Sequence, residues 1–364
     1  MGLRVIVMQY VFDTQLAYEQ HTEGHKEQVK PTSKYSVEDL LERATQCLEQ
    51  FQFELACKFC ERALESQPQS LQALETYAPI LLELGDVEKA HDCFQQLIKL
   101  SPDTGHEKYM YLGQMCGGAD AVGYFKKGID ILKVELQQSS SGASSVNQLN
   151  HSQEISRAYC SLAEIYLTDC CFDDNAAELC ESYCRSAIEY DAKNAEAYQL
   201  LASCLLSQDQ TDNAKEYMQK SIALWLPACK DIENDNEDIE ENCLIPNYDS
   251  RISSAKLLIE LEQYEQAGEI LDRLLQEDDE VVQVWYLLGW LHYLENDTVA
   301  ARQHLEMAQK LSEKFQCDDS KVNEHIQELL QEIPDHDVVA DRDLESEDDE
   351  HPMEMDDSPV GDTA

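Results

Sequence analysis

Two prolines, Pro68 and Pro102, stand 34 residues apart, and small and large residues alternate between them at fixed offsets. Leu74, Tyr77, Ala78 and Leu81 are followed by Ala90, Phe94 and Leu97. Two helices joined by a tight turn satisfy this pattern. Small residues let the helices approach, large ones fill the gap between them, and Pro102 stops the second. Such a pair leaves an apolar face that only a neighbouring pair can cover, so the unit has to recur.

It recurs in one register along the chain. Leu40, Ala44, Ala56, Cys60 and Ala63 precede Pro68. After Pro102 come Tyr109, Leu112, Gly113, Ala121, Phe125 and Gly128, with a shortened turn. The fourth copy carries Tyr159, Leu162, Ala163, Tyr166, Cys180, Cys184 and Ala187, its turn lengthened through DCCFDDN. The fifth has Tyr198, Leu201, Ala202, Leu205, Ala214, Met218 and Ser221, and the sixth Ala255, Leu258, Ala267, Leu271 and Leu274. The seventh reads Trp285-x2-Leu288-Gly289-x2-His292, then Ala301-x3-Leu305-x2-Ala308. A 34-residue period with these residues is the tetratricopeptide (TPR) pattern. The expected fold is all-α, a right-handed superhelical TPR solenoid.

The domain organisation follows. Repeats one to three occupy 36–136, repeats four and five 156–229, and repeats six and seven 248–334 together with a capping helix. That helix, SKVNEHIQELLQE, is expected to take Ser320 as N-cap and to stop at Pro334. A Ser-rich segment, 137–155, and an acidic one, 230–247, interrupt the repeats as insertions. Residues 1–35 read as a flexible N-terminal extension. Beyond Pro334, thirteen acids face Arg342 alone, so 335–364 reads as a disordered acidic tail.

Composition then limits function. Asp plus Glu number 73 against 27 Lys plus Arg, a formal net charge of −46. A chain this acidic offers no basic face to phosphates and no anchor for anionic membranes. No apolar run reaches the length of a membrane span, and MGLRVIVMQYVF is a poor secretion signal because Gln9 and Tyr10 break it. The 14 cysteines are scattered through helical stretches and read as core residues of a reducing compartment. Cys57-x2-Cys60 has no second pair at zinc spacing, and Cys60 falls on a packing position. Cys170-Cys171 and Cys180-x3-Cys184 read the same way. Phosphate-loop, nucleophile-elbow and H-E-x-x-H motifs are missing. The chain is therefore read as a non-enzyme with no cofactor and no metal.

Function must come from surfaces. The first helix of each TPR lines a concave side, and residues off its core stripe face the groove. Repeat two offers Gln72, Glu75, Thr76 and Glu83, and repeat three Glu107, Met110, Tyr111 and Gln114. Repeat four offers Arg157 and Glu164, and repeat five Glu196 and Gln199. In repeats six and seven the corresponding residues are Asp249, Glu260, Tyr286 and Trp290. Tyr286 and Trp290 are expected to be contact anchors, since aromatics are less usual on a solvated face. Arg157 and Lys256 do not make the cationic set that holds a peptide carboxylate. An acidic groove selects a basic, extended client through steering and charge-assisted hydrogen bonds, with histones and ribosomal proteins as abundant examples.

The stretch from Ser36 to Gly118 resembles a known family. LETYAPILLELGD, A-x2-CF and LSPDTGHEKYMYLGQM, then a shortened turn, are similar to the dedicated assembly chaperones of ribosomal protein L4 of the large subunit. The acidic insertion and tail match too, and the similarity spans about 36–350. The resemblance implies a chaperone that captures the newly made ribosomal protein L4 and shields its long basic internal loop. It also implies escort from cytoplasm to nucleus and release into the pre-60S particle, with no direct contact to nucleic acid or membrane. The residues alone leave open a TPR scaffold subunit of a multiprotein complex, or an acidic escort of histones.

Overall fold

A computed structural model describes residues 35–139, 145–233 and 245–334. These residues form helices and connecting turns, and no strand occurs among them. The chain divides into two compact units, Met1–Ile245 and Pro246–Ala364. Of the expected N-terminal extension, 1–35, all but Tyr35 lies outside the described residues, as does the expected acidic tail, 335–364.

In the first unit, α1 (Val37–Leu48) pairs with α2 (Phe53–Ser66), and α3 (Leu71–Glu83) with α4 (Val87–Leu100). Next, α5 (Glu107–Met115) pairs with α6 (Gly118–Ser139), α7 (Ser145–Leu167) with α8 (Ala176–Tyr190), and α9 (Ala195–Ser207) with α10 (Thr211–Ala223). A single helix, α11 (Leu226–Glu233), follows. The first helix of a pair also packs on the first helix of the next, as α1 does on α3 and α7 on α9. In the second unit, α12 (Tyr248–Glu260) pairs with α13 (Tyr264–Glu277) and α14 (Val282–Leu294) with α15 (Thr298–Phe315). The last helix, α16 (Ser320–Glu332), covers α14 and α15.

Each pair is locked by one close approach. A Cβ added to Gly113 would lie 2.7 Å from the Phe125 ring, and one on Gly289 would lie 2.6 Å from Leu305 Cγ. Ala44, Ala78, Ala202 and Ala255 take the same position in other repeats and are buried. Seven residues later the chain turns left-handed: φ is 56° at Phe51, 76° at Gly85, 59° at Asp209, 60° at Glu262 and 64° at Asn296. The following N–H then reaches back five residues to a helix carbonyl, as in Gln52 to Cys47 at 2.9 Å and Asp86 to Leu81 at 2.8 Å. That bond satisfies an orphan carbonyl of the helix end and sets where the second helix starts. Pro68 and Pro102 follow helix ends as expected, and their carbonyls accept from Gln96 Nε2 at 3.0 Å and Tyr109 Oη at 2.7 Å.

Three expectations change. Helix α6 runs to Ser139 and α7 begins at Ser145, so most of the Ser-rich segment 137–155 is helical, the two flanking helices being extended. Leu136 and buried Ile155 anchor the two sides, and a helix already nucleated adds a hydrogen bond per residue at low cost. The acidic segment 230–247 likewise begins inside α11, which buried Trp225 and Leu226 hold against the repeats. Its residues 234–244 lie outside those described, as do 140–144 of the Ser-rich segment. Finally, Asp319, not Ser320, caps α16, accepting from the Val322 N–H at 3.2 Å. A carboxylate there meets the positive end of the helix dipole, which a hydroxyl does more weakly.

The close approach gives a paired test. Gly113→Ala forces a methyl onto the fully packed Phe125 ring and should destabilise by about 1–3 kcal/mol. Gly123→Ala, in the same helix pair and with no atom within 4 Å of the new Cβ, should instead stabilise by up to ~1 kcal/mol through helix propensity. Thermal unfolding of both variants beside the parent checks the opposite signs.

Candidate functional site

In the first unit most of the bases stand on the second helices of the pairs, whereas in the second unit α12 carries Arg251 and Lys256 and α13 only Arg273. In the first unit α3 and α9 carry no Lys or Arg, and α5 and α7 carry one each, Lys108 and Arg157. Of the second helices there, α6 by itself has Lys126, Lys127 and Lys133. Several are matched there to acids, as in Lys127 to Asp103 at 2.8 Å and Arg185 to Glu181 at 2.7 Å. First helices that touch one another across repeats therefore present carboxylates with few cations to answer them.

Glu75 and Glu83 on α3 and Glu107 on α5 are exposed, as their offset from the buried Leu74, Ala78 and Leu112 requires. Tyr111 is half-buried and stacks on Phe94 at 4.9 Å between centroids. Burial pushes the Tyr111 phenol up, and the charges of Glu83 and Glu107 add to it, so the structure brings these three residues together. Glu75 acts on Lys108, a buried ammonium that desolvation pushes down and that donates to the Thr104 carbonyl.

Farther along, Glu164 on α7 and Glu196 on α9 form a second acidic place. Desolvation raises the Glu164 carboxyl, with Asp169 adding to it. Glu196 is exposed at the surface, with its carboxyl crowded by neighbouring protein. Its carboxyl is pushed up to about 7, first by desolvation and then by the Glu164 charge, against the opposing pull of Arg157.

Between these places, α5, α6 and α7 enclose a cavity of about 340 Å³. Met110, Tyr111, Phe125 and Ala158 give it apolar lining, and Glu107 and Glu154 carboxylates. His106, buried at the start of α5, stands between two acids: Nδ1 shares a 2.9 Å hydrogen bond with Glu135 Oε2 on α6, and Nε2 lies 3.4 Å from Glu154 Oε2 on α7. Of the lining residues, Glu107, Met110, Tyr111, Gln114 and Arg157 are legible in the sequence as groove residues, whereas His106 and Glu154 are not. Glu154 fell inside the presumed insertion. For His106 the signal is its place just before a short first helix whose next residue is Glu107.

In the second unit Tyr286 and Trp290 stack at 6.4 Å with planes 9° apart. His325 of α16 meets both edge-on, at 5.7 and 6.0 Å, and its Nδ1 shares a 2.8 Å hydrogen bond with the Tyr286 hydroxyl. The pair thus has an intramolecular partner and helps seat the capping helix. Glu260 acts on the Tyr286 phenol, which desolvation chiefly raises. Asp249 sits in the first turn of α12 and Glu260 in its last, about 16 Å apart along the helix axis. The structure does not bring Asp249 to the aromatic pair.

Cys47, Cys57, Cys60, Cys160, Cys170, Cys180, Cys184 and Cys204 are buried as packing residues, whereas Cys171, expected to read the same way, is exposed in its turn, as is Cys317. Cys60 has no exposed surface, and burial, with the charges of Cys57 and Glu61, pushes its thiol up to about 12. A reactive thiol needs the opposite shift. Among the described residues no group of three His, Cys, Asp or Glu side chains is placed to hold a metal ion.

The raised carboxyl of Glu196 has a signed consequence. Its proton is held more tightly in the folded chain than in the unfolded one, so its contribution to stability falls as pH rises from about 4.5 to about 7 and is constant above. Glu196→Gln removes that contribution. The variant should unfold at a higher temperature than the parent at pH 8, with a gap that narrows at pH 5.5, which paired melting curves at the two pH values read directly.

A tetratricopeptide-repeat family model matches residues 71–104 and 195–224, and a second matches 253–314. A Schizosaccharomyces pombe protein described as a probable assembly chaperone of rpl4 is 33% identical over 281 residues, spanning 71% of this chain and 79% of that protein. An Emericella nidulans protein with the same description is 28% identical over 362 residues, covering 87% and 88% of the two chains. The solved structure of the assembly chaperone of RpL4, Acl4, superposes with a TM-score of 0.65 at 28% identity, over 72% of this chain and 98% of Acl4. With that identity over that span, on a fold of the same repeats, the chain belongs to the family of rpl4 assembly chaperones.

Proposed function

We propose that this chain is an assembly chaperone that binds newly made ribosomal protein L4 and shields its basic internal loop. It escorts the protein from cytoplasm to nucleus, where the pre-60S particle takes it over. The observation that carries the reading is the 33% identity, across 71% of the chain, to a protein described as a probable assembly chaperone of rpl4. The sorting of charge supports it independently, because acids on the first helices of the repeats suit a cationic, extended segment. The chain works by binding and not by catalysis: its buried thiols are deactivated, and its acids line a surface instead of flanking a reacting bond.

Held in this way, the client's cations are kept from RNA by competition. Each pairs with a carboxylate in a place where water is partly displaced, which strengthens the attraction. Residues 335–364, with thirteen acids, extend the same competition. Affinity of the full chain for a synthetic peptide of the L4 internal loop should weaken roughly tenfold or more between about 50 and 300 mM salt. Removing 335–364 should weaken it less and flatten that slope. Salt-independent binding, or no binding, would favour a scaffold. Purification of the chain with ribosome-bound nascent chains should recover ribosomal protein L4; histones alone would point to a different client.

A further inference from the structure

We infer that the cavity between α5 and α7 takes the side chain of a single arginine or lysine of the client, a subsite that rests on the function proposed above. At about 340 Å³ the space fits one long side chain and not an element of secondary structure. Its lining divides as such a side chain does. Met110, Tyr111, Phe125 and Ala158 offer apolar surface to a methylene stem, and Glu107 and Glu154 offer carboxylates to the charged head. The Tyr111 ring, fixed by stacking on Phe94, adds an aromatic surface for a cation.

The acids are positioned before any client arrives. His106 has only a tenth of its side chain exposed and stands between Glu135 at 2.9 Å and Glu154 at 3.4 Å, so three helices meet at one imidazole. Glu154 Oε2 is shut off from water and accepts no hydrogen bond within normal geometry. A client residue that closed the cavity with an apolar group would complete the desolvation of Glu107 and Glu154 without answering their charge, which is costly. An acidic residue would be repelled. A cation alone turns the closure into a gain. Arg157 also lines the space, but its Nε is engaged with the Gln153 carbonyl at 3.4 Å and its charge acts on Glu196. Beside the His106 imidazole, Arg157 is then the one permanently charged base set against the Glu107 and Glu154 carboxylates.

The sequence of α5 agrees. In HEKYMYLGQM, Tyr109, Leu112 and Gly113 go to the core, whereas His106, Glu107, Met110, Tyr111 and Gln114 line the cavity. The stretch that carries the family resemblance most specifically is thus spent on the cavity as much as on packing.

The test uses the full chain and the L4 internal-loop peptide, with every Arg and Lys of the peptide replaced by Ala one at a time. Gln114→Trp fills the cavity from an exposed position, and Glu107→Gln removes a charge from an exposed one. Each should raise Kd roughly tenfold or more, with the melting temperature unchanged. One basic peptide position should matter strongly for the parent and not at all for Gln114→Trp. If the parent binds the peptide and both variants bind equally well, the subsite is wrong and the proposed function stands. If the sensitive position is apolar or acidic, the occupant is wrong. A parent that does not bind the peptide overturns the function and the subsite together.

Discussion

The contact between a small residue on the first helix and a large one on the second governs the rest of the structure. Gly113 against Phe125 and Gly289 against Leu305 are its tightest cases. Once that point is fixed, the helical period decides which side chains are interior and which are not. Leu74, Tyr77, Ala78 and Leu81 turn to the core, so Glu75 and Glu83 must turn away from it. On α5 the same rotation sends Leu112 inward and Glu107, Met110 and Gln114 to the other face. The acidic surface is therefore not added to the fold. It is the remainder left when packing has taken its stripe.

In the first unit that remainder is one-sided because most bases there are placed on the second helices. Lys127, Arg185 and Lys220 each meet an acid there or in the adjoining loop, at 2.7–2.8 Å. Exposed pairs of this kind contribute little to stability. Their consequence is spatial: in the first unit α3 and α9 carry no base and α5 and α7 one each, so carboxylates weigh more in the field over that face. Lys133 of α6 donates to the Tyr159 hydroxyl of α7 at 2.7 Å and lies 5.8 Å from the Tyr190 ring of α8, so tyrosines engage this base between repeats.

Much of the fold was legible because TPR packing is local and periodic. Seven copies of one spacing name the helix pairs, and every small residue the spacing singles out, from Ala44 to Gly289, is buried. The sequence misled where composition and packing disagree. Serines, Gln and Asn around 145–153 suggest a linker, yet Ile155 and Ser156 are buried a turn later and the helix simply extends back from them. Helix α11 was hidden for the opposite reason, since its burial rests on Trp225 and Leu226 outside the repeat frame. The candidate surface was legible as a face and not as a site. Offsets placed Glu107, Tyr111 and Glu196 correctly on first helices, but nothing in one sequence says that Glu135 and Glu154 converge on His106, because those contacts join residues 29 and 48 positions apart. Tyr286 and Trp290 show the same limit: their partner, His325, belongs to the next helix.

An acid held where its charge is poorly solvated is a state that a cation relieves. Burial raises the proton affinity of Glu164, and crowding by protein together with the Glu164 charge raises that of Glu196. Under the proposed function, a client cation arriving beside them favours their ionised form, so binding displaces protons and lowers the repulsion that the folded chain carries. The same free energy then appears in two places, as affinity for the client and as stability gained by the chaperone, and linkage makes the two equal. A surface optimised for its own stability would have matched these acids with lysines, as the second helices do. Leaving them unmatched makes the folded chain slightly less stable alone and correspondingly better suited to a basic partner.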